Sequence, residues 1–275
     1  MGLEPTTFSL ATRRSTTELC PLVLHIKVKS FLIIYQEVLC SNATIDTFEY
    51  YCIFKKNNYN LIMDLNKLPK KIPVFPLSNF IMFPGTTIPL NIFEPRYLQM
   101  VNDSMKNHRM IGMIQPKKSG DLKNPDLYEI GCIGKITSFN ETEDGRILII
   151  LNGICRFKID SEVKSEKLYR ECEVKYNSFL NDISKKNNDI KFTDLNIIIE
   201  NMRKFFKKQG YIVNLKDLEK KDLSQTLNDL SMASPFSLEE KQILLESLDI
   251  NTRKEKMEQI LNNYIKDEFE NTTIQ

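Results

Sequence analysis

Apart from one short helical stretch after Pro95, where Tyr97, Leu98, Val101 and Met105 follow helical spacing to about Asn107, the apolar residues of this chain shift from a strand to a helical period once, and no other feature narrows the fold so much. From residue 70 to 179 they recur in short runs separated by turn signals, the pattern of β-strands. Past the polar connector NDISKKNND that pattern is gone. TDLNIIIENMRKFFKKQG then puts Leu195, Ile198, Ile199, Met202, Phe205 and Phe206 on one helical stripe, with Gly210 as a C-terminal stop. A β-rich unit followed by a helical one predicts an α+β chain. Its 275 residues suffice for one large or two modest domains.

Within the β-rich part, KIPVFPL is the first strand. Pro73 and Pro76 lack backbone donors, so an edge position or a bulge is expected there. The Phe83-Pro84-Gly85 turn leads into a second strand, TTIPLNIF. Residues 109–115 read as strand, PKKSGDLKNPD as a polar loop, and LYEIGCIGKITSF as a strand whose Gly131 and Gly134 point to a bulge or a close backbone approach. Asp144-Gly145 in ITSFNETEDGRILIILNG predicts a tight hairpin. The run ILIIL is apolar on both faces and belongs in a buried or central strand. Gly153 is expected to break it before ICRFKI, and YRECEVKYNSF closes the unit. In the helical part Leu223, Leu227 and Leu230 form a second stripe. Ser237 and Glu240 after Pro235 have the form of a capping box, and a last helix runs from about Asn251.

Between the second strand and the first helix lies NIFEPRYLQMV, with Glu94 and Arg96 two residues apart. A general acid–base pair would need a reacting group between its members and further titratable neighbours, and no second carboxylate or histidine is nearby in sequence. A structural corner accounts for every residue. Pro95 suits the first turn of a helix, Glu94 places negative charge at its amino end, Arg96 answers Glu94, and Tyr97 with Leu98 anchors the helix. Two other stretches carry a choice. In SNFIMFPG, Phe80, Ile81, Met82 and Phe83 either cap the barrel or form an exposed lip that contacts polypeptide. In RKFFKK the two phenylalanines fall on the apolar stripe and the cations beside it, which favours a packed stripe over a nucleic-acid surface.

Charge and cysteine usage exclude several classes. A formal net charge of +2 gives no bulk electrostatic pull toward nucleic acid or acidic lipid. None of Cys20, Cys40, Cys52, Cys132, Cys155 and Cys172 forms a C-x-x-C pair, and His25 and His108 are the only histidines, so no metal and no cofactor are expected. His108 reads as a helix-end cation or donor, and Cys132, Cys155 and Cys172 as small core residues. The nine glycines include no Walker A spacing, and Gly134-Lys135 is followed by Ile136, which has no hydroxyl for Mg²⁺. The apolar window PLVLHIKVKSFLIIYQEVLC carries His25, Lys27, Lys29 and Glu37, too many charges for a bilayer span. GLEPTTFSLATRRSTTEL resembles peptides read from transfer-RNA genes, so the biological chain is expected to start at Met63.

The stretch IPVFPLSNFIMFPGTTIPLNIFEPRYLQMV resembles the N-terminal substrate-binding domain of the Lon protease family. The likeness continues through IGCIGKITSF, DGR, ILIILNGICRFKI and YRECEVKY to NDLSMASPFSLEEKQILLESLDINTRKEKMEQIL, in order, over roughly residues 68–261. It implies a PUA-like β pseudo-barrel followed by a helical bundle. The expected organisation is a non-native or disordered extension at 1–62, the β-rich subdomain at 63–182 and the helical subdomain at 183–275. The expected protein is a stand-alone, non-enzymatic module, because ATPase and Ser-Lys protease domains do not follow. The resemblance implies unfolded or client polypeptides as partners, gripped in a groove between barrel and bundle, with a link to an ATP-dependent protease. A homodimer, a cytoplasmic setting and no membrane or nucleic-acid partner complete the expectation; the rival is an RNA-binding PUA-like module.

Overall fold

The computed structural model describes residues 67–121, 124–183, 192–210 and 223–271. Expectations for the N-terminal extension, Met63, His25, Cys20, Cys40 and Cys52, and for most of the polar connector, lie outside these residues. The β-rich half contains β1 (Lys71–Pro76), β2 (Thr87–Ile92), α1 (Pro95–Lys106), β3 (Met110–Ile114), β4 (Pro116–Asp121), β5 (Asn124–Leu127), β6 (Ile130–Glu141), β7 (Ile147–Val163) and β8 (Arg170–Lys175). A 3₁₀ segment, Asn177–Asp182, follows. The helical half contains α2 (Phe192–Lys208), α3 (Leu223–Ala233), α4 (Leu238–Glu246) and α5 (Ile250–Asn271).

The sheet closes on itself. Strand order is β2-β7-β6-β3-β1-β8, and β8 also pairs with the second half of β7, so β7, β6, β3, β1 and β8 form a ring. Closure removes the open edges that a five-stranded sheet would otherwise present. The pairs are antiparallel except β1 with β3. Inside the ring, Ile72, Val74, Ile114, Ile133, Phe157 and Val174 pack together with the thiols of Cys155 and Cys172.

Three local expectations are corrected, and a fourth, the tight hairpin, is met. β1 is central, not an edge. It pairs with β8 over residues 71–74 and with β3 over 74–76, so it changes partners midway. Val174 N–H donates to the Lys70 carbonyl. By antiparallel alternation Ile72 and Val74 then bond β8, and Pro73 falls at a position that needs no donor on that side. In the polar stretch expected as a loop, Pro116–Asp121 and Asn124–Leu127 instead pair as the antiparallel strands β4 and β5. Gly153 does not end its strand; β7 runs 17 residues through it, with a register shift opposite Ile133 and Gly134. A Cβ on Gly153 would lie 2.1 Å from the Phe83 carbonyl oxygen, so the glycine is there for close approach. The hairpin after β6 has a three-residue tip. Gly145 N–H donates to the Thr142 carbonyl at 2.9 Å and Gly145 takes φ +78°, the left-handed residue that closes such a loop.

A second apolar cluster joins the halves. Ile88, Ile149 and Leu151 of the β2–β7 pair meet Met202, Phe205 and Phe206 of α2, Leu244 of α4 and Leu261 of α5. Phe205 stacks on Phe236 with ring centroids 5.3 Å apart and meets Tyr264 at 4.7 Å. The expected capping box is formed: Ser237 Oγ accepts from Glu240 N–H, and Glu240 Oε2 accepts from Ser237 N–H. The chain is therefore α+β, a β pseudo-barrel followed by helices that share its core.

Candidate functional site

The β1–β2 connection is the first candidate. Its Phe80, Ile81, Met82 and Phe83 are 5%, 2%, 1% and 0% exposed, so of the two readings the buried, capping one fits and the exposed lip that would contact polypeptide is corrected. Thr86 Oγ1 accepts from Phe83 N–H and donates to the Phe83 carbonyl, Gly85 N–H donates to the Gly153 carbonyl, and Gln225 Nε2 reaches the Gly85 carbonyl at 2.8 Å. These bonds hold an irregular segment between barrel and helices, which lets all four side chains enter the shared core. Burying each such side chain contributes about 1.5–3 kcal/mol.

Three cations line the seam between barrel and helices, and their pairing was not legible from sequence. Arg156 on β7 is 2% exposed. Its Nε and Nη2 bind both oxygens of Asp182 at 2.9 and 2.8 Å, and its ring partner is Phe179 at 4.2 Å. Its Nη1 donates to the carbonyls of Leu245 and Ser247, and Nη2 to that of Leu248 at 3.2 Å. These are carbonyls at the end of α4, which have no partner within the helix. Arg253 lies over Phe83 at 4.1 Å, donates to the Leu244 carbonyl and to Asn228 Oδ1, and is pushed down to about 9 by burial and by Arg156. Lys241 donates to the carbonyls of Asn79 (3.0 Å) and Met232 (3.3 Å); burial lowers it to about 8. Beside it, Gln115 Nε2 donates to the Leu238 carbonyl and to Gln242 Oε1. Each cation joins one element to another.

At the corner, Glu94 is the N-cap of α1 and Pro95 stands in its first turn. The Glu94 carbonyl accepts from the Tyr97 and Leu98 N–H groups at 2.9 Å, while its carboxylate makes no side-chain cap. Arg96 Nε and Nη2 instead hold Glu94 Oε2 at 2.9 and 2.8 Å, with both side chains nearly half exposed. The buried anchor is Tyr97, edge-on to Phe75 with centroids 4.2 Å apart. Glu94 and Arg96 thus meet each other on the surface.

The other candidates resolve simply. Phe205 and Phe206 are each 1% exposed, whereas Arg203, Lys204, Lys207 and Lys208 face outward, so the aromatic half of RKFFKK is core. Asp144 and Gly145 form an exposed tip where Arg146 pairs with Asp144 at 2.8 Å. Cys132, Cys155 and Cys172 are buried free thiols; burial pushes all three up, Cys172 to about 11, which suppresses their thiolates. His108 is exposed just past α1. Among the described residues no group of three or more His, Cys, Asp or Glu side chains is placed to hold a metal.

The family model for the ATP-dependent protease La (LON) substrate-binding domain matches residues 71–263. The Lon protease of Flavobacterium johnsoniae is 27% identical over 205 residues, covering 70% of this chain and 24% of the relative. That of Desulfosudis oleivorans is 25% identical over 211 residues, covering 73% and 25%. The chain thus spans about a quarter of the length of these curated relatives. Among solved structures, the Lon N-terminal domain protein from Xanthomonas campestris shares the fold with a TM-score of 0.51 at 21% identity, covering 69% of this chain and 97% of that one.

Proposed function

The chain belongs to the LON substrate-binding domain family, and from that premise we propose that it is a non-catalytic module that binds unfolded polypeptide and works alongside ATP-dependent proteolysis. The observation that carries the reading is the match of the family's substrate-binding domain across both barrel and helices. How the chain engages its ionisable groups supports it. Arg156, Lys241 and Arg253 are committed to carbonyls, a carboxylate and an amide, and the buried thiols hold their protons. None of these is poised as a nucleophile or a base. Binding would then rest on apolar contact with fixed polar groups at the rim, without covalent chemistry. The setting in this reading is the cytoplasm, and no described helix is long and apolar enough to cross a membrane.

The test is titration calorimetry of the purified chain against a reduced, carboxymethylated protein and against its folded parent. Binding of the unfolded form alone, with no cleavage of a fluorogenic peptide, is expected. Equal affinity for both forms, or peptide turnover, would overturn the proposal.

A further inference from the structure

With Phe80 to Phe83 in the core, those side chains cannot be the binding surface, and three exposed apolar residues stand on the segments that the Arg156–Asp182 clamp ties together. Leu180, 48% exposed, stands two residues before Asp182 in the 3₁₀ segment. Leu248, 62% exposed, gives its carbonyl to Arg156 Nη2. Ile243, 44% exposed, lies on α4, where its carbonyl accepts from Ser247 Oγ at 3.0 Å; the Ser247 carbonyl in turn is held by Arg156. The barrel side supplies one of these side chains and the helical side two. A buried guanidinium keeps the two sides in register. Large apolar groups scattered singly need no explanation, but a group of them gathered at one locked junction does.

The segment that carries Ile243 and Leu248 is itself acidic. The stretch SLEEKQILLESLDI, residues 237–250, contains Glu239, Glu240, Glu246 and Asp249 and a single cation, Lys241. That cation is 3% exposed and turned onto two carbonyls, so it offers nothing to solvent. Glu239 is paired with Lys118. Glu246 and Asp249, on either side of Leu248, are exposed, and their positions are set by Gln242 Nε2 and by Thr252 N–H. An exposed apolar residue with carboxylates on either side of it complements a ligand whose apolar residues are flanked by cations. It opposes a polyanion.

We infer that this junction is where the module grips polypeptide, and that the segment it takes is a short apolar stretch flanked by Lys or Arg. The inference rests on the polypeptide-binding reading above and adds to it a place and a sequence class. Contact with Leu180, Ile243 and Leu248 supplies the affinity. Glu246 and Asp249 select among apolar segments by their flanks. Arg156 touches no ligand; it positions the two sides.

Fluorescence anisotropy on the full chain tests this with three short labelled peptides: a Leu/Phe core flanked by lysines, the same core flanked by glutamates, and a polar peptide with lysine flanks. The first should bind, the second more weakly, and the third not at all. Leu248→Asp and Ile243→Asp should each weaken the first by about tenfold. Both side chains are exposed, so an unchanged urea midpoint certifies the fold. Glu246→Lys should shift preference toward the glutamate-flanked peptide. If the wild type binds and the variants bind equally well, the site is wrong while the polypeptide-binding reading stands. If the wild type binds no peptide and no unfolded protein, both fall. If sedimentation finds a dimer that Leu248→Asp dissolves, the patch belongs to a second copy and the inference is overturned.

Discussion

Replacing Arg156 by methionine removes the bond set that ties barrel to helices while keeping much of the aliphatic volume. The guanidinium and Asp182 are 2% and 9% exposed, so the substitution leaves a carboxylate buried without its partner. Breaking a buried pair in this way costs about 3–5 kcal/mol. The carbonyls of Leu245 and Ser247 also lose their donor, at about 1 kcal/mol each. The Leu248 carbonyl lies beside an exposed side chain and can be rehydrated. The sum is about 5–7 kcal/mol, comparable to the whole stability of many domains. Thermal unfolding should fall by about 10–28 °C for a chain of this size. Urea denaturation followed by circular dichroism measures the loss directly. The second arm is Arg156→Met with Asp182→Asn, which removes the stranded charge and should recover about 2 kcal/mol. If Arg156→Met stays within about 1 kcal/mol of wild type, or Asp182→Asn only adds its own loss, the clamp is not what joins the halves.

The same seam has a pH signature. Lys241 releases its proton at about 8 in the folded chain, whereas the unfolded side chain holds it to about 10.4. Between those values the unfolded state binds more protons, so this group's contribution to stability rises with pH. Wild type should gain about 3 kcal/mol over Lys241→Met between pH 7.5 and 10.5, read from paired urea curves; a constant difference would refute it. Gly153→Ala drives a Cβ against the Phe83 carbonyl and should cost about 3 kcal/mol. Gly145→Ala meets nothing within 4 Å and should cost only the left-handed backbone penalty, about 1 kcal/mol; equal losses at the two sites would contradict the close-approach argument. Arg96→Lys should change stability by less than about 1 kcal/mol, because its pair with Glu94 is solvent-exposed. A large drop in melting temperature would return the corner to its ion pair.

What was legible in the sequence was whatever depends on neighbours along the chain. The proline at the start of α1, the Ser237 box, the Asp144-Gly145 tip and the helical stripe through Phe205 are all local rules, and the structure shows each of those features. What depends on distant partners was not. SNFIMFPG leaves a cap and a lip both open because nothing in its own residues says that helices more than 100 positions later will cover it. Pro73 argued for an edge because a strand that changes partners at Val74 cannot be seen in one segment. The seam cations failed for a stronger reason. Arg156 sits in ICRFKI, where alternation leaves its direction to whatever lies beyond the barrel, and its acceptors are carbonyls, which every residue has. A guanidinium that recognises a helix end therefore leaves no composition signal. The only trace is indirect: a basic residue in a strand with buried neighbours Cys155 and Phe157 must either be exposed or find several acceptors at once. Arg156 found them across the seam. The surface we propose for polypeptide follows from that choice, because the bonds that bury the cation also tie together the segments that carry Leu180, Ile243 and Leu248.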